Sequence, residues 1–275
     1  VKCENVVVPT VDELEVWVSM LKTWHTAPLV SQDFDVPKDR PVMPEQAFLL
    51  QMSMTMALLP YCRYDFFGGL YQGFTPEGAD KPNLIEAQFM GDEHEPGQKD
   101  TEAHMVAYVV SLKDGGFGLI LGYKGTSAGG SVACYVPFPG CSILFGQDTN
   151  DWYKNWDAAA ARLFVGNDQI QVHRGFLEYK RSLDKRMARS PIPQEMKAIL
   201  ESWGVKKHYE NFWQLVTSSD WKWCVCVGHS LGGGMASIAA ATLSTRTQSD
   251  DKGHVYEVVV GAPNAGNKAF ADMMS

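Results

Sequence analysis

The pentapeptide Gly228-His229-Ser230-Leu231-Gly232 constrains the fold of this chain more than any other feature of its sequence. It follows the apolar run 223–227 and precedes the stretch 231–245, which is rich in small residues. The apolar run predicts a buried strand, and the stretch after the pentapeptide predicts a helix whose small residues allow close approach to a sheet. The sequence therefore predicts a strand, a sharp turn at Ser230 and a helix.

This turn also meets the chemical requirements of a nucleophile. Gly228 and Gly232 supply flanks without a Cβ, which a strained strand-to-helix turn needs because side chains there would collide with neighbouring backbone. Ser230 is then held at the carboxyl edge of the sheet, with the first helical N–H groups pointing toward it. We expect the N–H of Leu231 to stabilise the oxyanion of a tetrahedral intermediate. The pattern predicts acyl transfer from an ester to water, or to another acceptor, through Ser230.

From His104 onward the chain alternates between strand and helix patterns. Two apolar runs, 105–112 and 117–123, are joined through Asp114-Gly115-Gly116, which predicts a hairpin. Further helices are predicted over 175–189, 194–203, 207–216 and 231–245, and further strands over 223–227 and 254–260. Such alternation indicates helices on both faces of a mostly parallel sheet. We therefore expect an α/β core over residues 104–275, within a single domain.

The sequence before this core is different in character. Leu14, Trp17, Val18 and Leu21 have the spacing of an amphipathic helix, and a second helix is predicted over 44–63. Residues 1–64 are therefore expected to form a helical cover. Residues 65–103 are rich in glycine, proline and acidic residues, and they are expected to form an irregular surface segment without chemistry.

Composition excludes some classes of partner. The net charge of −8 offers no basic surface, so nucleic acid is not an expected partner. The longest apolar stretch of helical character, Ala47 to Leu59, is shorter than the roughly 20 residues that a membrane-spanning helix needs, so no such helix is expected. The chain opens at Val1 without a targeting pattern, and we expect any targeting segment either to have been removed or to lie outside this sequence. The sequence does not indicate a compartment.

The cysteines do not predict a metal site, because none of them forms a CxxC pair. Cys224 and Cys226 fall on one face of a predicted strand, where structural burial is expected. Cys134 and Cys141 lie in one loop and either form a disulfide in an oxidising compartment or stay reduced. The six cysteines are Cys3, Cys62, Cys134, Cys141, Cys224 and Cys226.

Several motifs, in order along the chain, resemble the class 3 (fungal triacylglycerol-type) lipase family of the α/β-hydrolase fold. They are LILGYKGT at 119–126, VHRGF at 172–176, GHSLGG at 228–233 and GAPNAGN at 261–267 with Phe270, together with Tyr61-Cys62 and Asn155-Trp156. The resemblance covers about residues 45–275. It implies an ester hydrolase that acts on acylglycerols or polar lipids and needs no metal or organic cofactor.

The resemblance also implies roles for individual segments. Thr126 would complete the oxyanion hole with Leu231, while Lys124 stands where the family usually has arginine. His173 would be structural. Residues 127–154 correspond to the lid of these lipases, which covers an acyl pocket in water and opens at a lipid surface. The alternative for this loop is packing against the domain itself or against a protein partner.

A serine nucleophile needs a base, and in this fold the acid and the histidine follow the serine in the chain. The residues after Ser230 that could serve are Asp250, Asp251, His254, Glu257 and Asp272. Asp250, Asp251 and His254 precede the predicted strand 254–260 or begin it, which places them at the edge of the sheet opposite Ser230. His229 is adjacent to Ser230 in sequence, but the turn sends the two side chains in different directions. We therefore expect the acid, the base and the C-terminal strands of the fold beyond Ser275. The alternative is a lipase-like structural or docking subunit without activity.

Overall fold

The computed structural model describes residues 71–75, 80–91, 103–112, 115–125, 159–218, 220–245 and 254–274. The strands in these ranges are β1 Tyr71–Phe74, β2 Leu84–Met90, β3 His104–Ser111, β4 Phe117–Tyr123, β5 Ala160–Arg162, β6 Gln171–His173, β7 Trp223–His229 and β8 His254–Val260. The helices are α1 Arg174–Arg189, α2 Gln194–Ser202, α3 Phe212–Val216, α4 Leu231–Ser244 and α5 Lys268–Met274. The helical cover predicted for 1–64 and the loop 127–154, with Cys134 and Cys141, lie outside the described residues.

The main sheet has the strand order β1-β2-β3-β4-β7-β8. Its first four strands are paired antiparallel, and β4, β7 and β8 are paired parallel. The expected α/β class is confirmed. The described sheet is mixed rather than mostly parallel, because strands joined by short connections, such as the hairpin predicted at Asp114-Gly115-Gly116, must run antiparallel.

The described residues within 65–103 do not form the irregular surface segment that the sequence predicted. They include β1 and β2, and β2 is a buried strand in which Leu84, Ala87 and Phe89 are fully buried. Its polar residues interrupt the apolar run by which a buried strand is usually predicted. Glu86 is nevertheless buried, and it accepts a hydrogen bond from Gln88 at 2.7 Å. The sheet therefore begins before His104, where the sequence analysis placed its start.

Helices α1 and α4 share one hydrophobic cluster with one face of the sheet. Ala107, Leu121 and Cys226 from the strands belong to this cluster, as do Phe176 of α1 and Met235 of α4. Strand residues of the alternate parity are buried as well, among them Val106, Ile120 and Val225. Burial on both faces explains why β3, β4 and β7 read as continuous apolar runs.

The predicted helices match α1, α2 and α4 closely, but the stretch 207–216 does not. Only Phe212–Val216 is helical there, and Asn211 caps this helix by accepting a hydrogen bond from the N–H of Gln214 at 2.9 Å. An asparagine cap fixes the start of a helix, because its side chain replaces the missing acceptor for the first N–H groups. The residues before Asn211 are therefore outside the helix.

Candidate active site

Ser230 alone connects β7 to α4, since β7 ends at His229 and α4 begins at Leu231. Its backbone has φ 55° and ψ −127°, and it is the one non-glycine residue with a positive φ in the ranges that the structure describes. Such a conformation costs on the order of 1–3 kcal/mol, which the surrounding packing has to offset. Strain of this kind concentrates at functional sites, and it falls here on the residue that the sequence selected as nucleophile.

Gly228 and Gly232 occupy positions where a side chain has no space. A Cβ on Gly228 would collide with the carbonyl group of Gly232, and a Cβ on Gly232 would collide with the carbonyl oxygen of Tyr123. Both obstacles are backbone atoms, which cannot swing aside as the end of a side chain can. The glycines of the pentapeptide are thus required because the first turn of α4 lies directly against the ends of β7 and β4.

The carboxyl end of β4 lies beside this turn. β4 and β7 pair in parallel, with Tyr123 opposite Gly228. The chain that leaves β4 toward Gly125 therefore reaches the same edge of the sheet as Ser230. Thr126, the residue predicted to complete the oxyanion hole, follows Gly125 directly and lies outside the described residues.

The N-terminus of α4 begins immediately after Ser230. The carbonyl oxygen of Ser230 accepts hydrogen bonds from the N–H of Gly233 at 2.9 Å and of Gly234 at 3.3 Å. Leu231 and Gly232 are the first helical residues, and their N–H groups have no acceptor among the carbonyl groups of the helix. These groups and the helix dipole favour negative charge at this end. The arrangement can stabilise an oxyanion next to Ser230, which is the role predicted for the Leu231 N–H.

His229 lies against the chain that leaves β8. The Cδ2 and Nε2 atoms of its imidazole are 3.9 Å from the position that a Cβ would take at Gly261. Burial lowers the pKa of His229 from its ordinary value. The ring therefore lies near the start of the chain that leaves β8, and the expectation that His229 is a poor base for its neighbour stays a prediction.

His254, a candidate base, lies at the far end of the parallel pair from Ser230. It pairs with Trp223 where both strands begin, whereas Ser230 follows the last pair of the ladder. A strand rises about 3.3 Å per residue, so a strand of this length separates the two ends by roughly 20 Å. Asp250 and Asp251, which also precede β8, lie outside the described residues.

The two remaining candidates have contacts of their own. Glu257, in the middle of β8, accepts a short hydrogen bond from the hydroxyl of Ser237 in α4. Burial raises the pKa of Glu257, and the bond from Ser237 offsets part of this effect. Asp272 lies in α5 and forms an exposed ion pair with Lys268 at 2.7 Å. His254 and Glu257 are thus not placed beside Ser230, and Asp272 is paired with Lys268.

One contact of Ser230 was not foreseen from the sequence. Its backbone N–H donates a hydrogen bond of 3.0 Å to the carbonyl oxygen of Val260, the last residue of β8. The sequence offers one indication of this contact. Residues 261–266 contain closely spaced glycines and alanines, and such small residues often allow two backbone segments to approach closely.

Three further findings concern the described ranges only. The His, Cys, Asp and Glu residues there include no group of three or more that could hold a metal ion. Of the helices within these ranges, none has the length and apolarity to cross a membrane. Cys224 and Cys226 are buried free thiols, and burial raises the pKa of Cys224.

Comparison with protein families relates this geometry to known proteins. Residues 146–275 match the family described as lipase (class 3). The matched range includes β7, the turn at Ser230 and α4. Comparison with curated protein sequences gave no significant match.

Solved structures that are similar to this chain include three lipases. The propeptide complex of Rhizomucor miehei lipase is 15% identical with a TM-score of 0.44, and the similarity covers 85% of this chain and 57% of that one. A triacylglycerol lipase described as having a serine protease triad is 16% identical with a TM-score of 0.46, over 85% of this chain and 68% of that one. M37 lipase is 15% identical with a TM-score of 0.39, and the similarity covers 96% of this chain and 62% of that one. The chain thus spans little more than half the length of the first of these lipases.

Proposed function

We propose, from the match of residues 146–275 to the class 3 lipase family, that the protein is a serine ester hydrolase acting through an acyl-enzyme on Ser230. The observation that carries the proposal is the backbone of Ser230, held at φ 55° between a buried strand and the N-terminus of a helix. A serine in a purely structural turn has no need of this strain, because any common turn type would connect the two elements at lower cost.

The chemistry follows from what surrounds this serine. The Ser230 hydroxyl attacks the ester carbonyl carbon, its proton passes to a general base, and the carbonyl oxygen gains negative charge. The Leu231 N–H at the start of α4, with Thr126 as its proposed partner, stabilises that charge. Collapse of the tetrahedral intermediate expels the alcohol, which takes the proton back from the base, and water, activated by the same base, then releases the acid from Ser230. The base and its acid partner are the two groups that the proposal requires and that the described residues do not supply.

We propose a lipid ester as the substrate, either an acylglycerol or a polar lipid. Support comes from the family and from the apolar residues of the loop 127–154, in the position of the family's lid.

A fluorophosphonate probe tests the proposed nucleophile. In the complete protein we expect one probe molecule per chain, carried by the peptide that contains Ser230, and no labelling after Ser230→Ala. Ser202→Ala is the matched control, because Ser202 is an exposed serine whose hydroxyl only donates to the Ile199 carbonyl at 2.7 Å. A folded protein whose Ser230 resists the probe would contradict the proposal.

A second candidate function is a lipase-like docking subunit without activity. The observation that favours it is the placement of His254 and Glu257 on β8, where neither lies beside Ser230. Two results together would favour this candidate: no labelling of Ser230, and stable co-purification of a protein partner that is lost when residues 127–154 are replaced by a short linker.

A further inference from the structure

The segment that leaves β8, residues 260–267, is attached to the turn at Ser230. The Val260 carbonyl accepts the Ser230 N–H at 3.0 Å. Two residues later, Ala262 lies so close to the first turn of α4 that a Cβ on Gly233 would come within 2.5 Å of the Ala262 Cβ. The position of this exit segment therefore contributes to the position of the Ser230 backbone.

The other end of the exit segment pairs with β6. The Ala265 carbonyl accepts the N–H of His173 at 2.9 Å, and the N–H of Asn267 donates to the Gln171 carbonyl at 2.9 Å. Between these bonds, Gly266 forms an antiparallel bridge with Val172. The exit segment is thus held at one end by the turn and at the other by the hairpin β5–β6.

Asn267 makes the side-chain contacts at this second end. Its Nδ2 donates to the carbonyl of Gln169 at 2.7 Å, and its Oδ1 accepts from the N–H of Gln171 at 3.3 Å. The same Oδ1 accepts the N–H of Phe270 at 3.0 Å, so Asn267 also caps α5. One exposed side chain therefore links the hairpin, the exit segment and α5.

The hairpin is in turn fixed to α4 by a separate route. The ring of His173, the last residue of β6, stacks on Phe176 with centroids 3.8 Å apart. A Cβ on Gly234 of α4 would come within 2.4 Å of the Phe176 ring. Contacts consequently run from the turn through the exit segment and the hairpin back to α4, and Asn267 lies where the exit segment joins the hairpin.

We propose that Asn267 is a positioning residue for Ser230, which by clamping the exit segment to the hairpin holds Val260 and Ala262 against the turn. This inference rests on the proposed function of Ser230. The competing explanation is that Asn267 acts only as the cap of α5, with no effect on the turn.

The variant Asn267→Asp separates these two roles. An aspartate keeps the Oδ1 acceptor that caps α5, but its second oxygen cannot donate to the Gln169 carbonyl and repels it. The matched control is Asn264→Asp, which adds the same charge to the same segment and keeps the bond that Oδ1 of Asn264 accepts from the Gly266 N–H at 3.3 Å. Any effect of charge alone should appear in both variants.

The readout is the rate constant for fluorophosphonate labelling of Ser230 per titrated site, obtained together with the concentration of probe at half-maximal rate. For Asn267→Asp we expect a labelling rate constant about tenfold lower, with an unchanged half-maximal concentration, because geometry and not probe binding is altered. The loss should shrink as the pH falls below about 4, where a protonated aspartate donates to Gln169 again. Asn264→Asp should stay within about twofold of the unsubstituted protein. Equal rate constants for the two variants would overturn the proposal.

Hydrogen exchange keeps the positioning inference separate from the proposed function. If the unsubstituted protein does not react with the probe, the proposed function fails, but exchange of the Ser230 amide still reports its bond to Val260. Faster exchange of this amide in Asn267→Asp than in Asn264→Asp upholds the clamp. Unchanged exchange in a protein with intact α5 overturns it.

Discussion

The two halves of the main sheet are assembled by different means. In the half formed by β1 to β4, each strand pairs antiparallel with its neighbour in sequence. In the half formed by β4, β7 and β8, pairing is parallel, and Leu119 of β4 meets Cys224 of β7 from a distant part of the chain. The first half is therefore specified locally, while the second brings distant segments to one edge.

The antiparallel half of the sheet contributes mainly to stability, and the parallel half positions the candidate nucleophile. β3 and β4 are buried along almost their whole length, so the antiparallel half supplies much of the core. β8 is only partly buried, but its carboxyl end and that of β7 frame Ser230. The comparison predicts that substitutions in the antiparallel half change folding free energy alone, and that substitutions around the turn change Ser230 as well.

The largest expected effect comes from Phe89→Ala in β2. Phe89 is fully buried, and its ring lies 4.7 Å from that of Phe212, so the truncation should lower the free energy of unfolding by about 3–5 kcal/mol. Urea unfolding measures this loss, and Phe89→Leu should cost far less. The labelling rate constant of Ser230 per folded molecule should not change. A rate that falls together with stability would show that the two halves are coupled.

A smaller effect of opposite sign is expected at the turn. Ser230→Gly removes the cost of a side chain at φ 55° but adds the entropy of glycine in the unfolded chain, so it should be more stable than Ser230→Ala by about 1 kcal/mol. Both variants lose the hydroxyl, so the difference isolates backbone strain. Thermal and urea unfolding of the pair measure it. Equal stability would mean that the turn is not strained in solution.

The smallest effect is expected at Glu257, in β8 of the parallel half. Burial raises the pKa of Glu257 in the folded state. The contribution of this carboxyl group to the free energy of unfolding is therefore fully present below its unfolded pKa, and it is lost as the pH rises through its folded pKa. Glu257→Gln stays neutral and still accepts the Ser237 hydroxyl, so its free energy of unfolding relative to the parent should rise between pH 4 and pH 7, by less than about 1 kcal/mol. Unfolding curves at both values test this.

Ser237→Ala sharpens the same comparison. Without the hydroxyl that partly offsets burial, the pKa of Glu257 should rise further and the loss of stability with pH should become steeper. A pH dependence that is the same with and without Ser237 would assign it to other groups.

The sequence predicts those parts of the fold whose signals are local. The hairpin at Asp114-Gly115-Gly116 follows from glycines that adopt positive φ, and Gly115 and Gly116 both have φ 84°. The strand, turn and helix around Ser230 follow from glycine positions that the structure explains by direct backbone contact. In each case the residues that specify the feature are neighbours in the chain.

Features that depend on distant partners could not be predicted. β2 was missed because Glu86 and Gln88 are polar yet lie in a strand inside the sheet, where their environment and not their type decides. The bonds from Asn267 to Gln169 and Gln171 join segments far apart in the chain, and no local pattern marks them. The roles of Thr126 and Leu231 in an oxyanion hole stay predictions, as does the division into 1–64, 65–103 and 104–275 beyond the correction at β1 and β2.

The parallel pairing of β4 with β7 has a consequence for biosynthesis. About 100 residues emerge from the ribosome between these two strands, which takes roughly 5–20 s at the usual speed of translation. The antiparallel strands can associate during that interval, while the outer edge of β4, apolar along its length, has no native partner yet. Nascent chains should therefore be most prone to aggregation, and most dependent on chaperones, at lengths between β4 and β7.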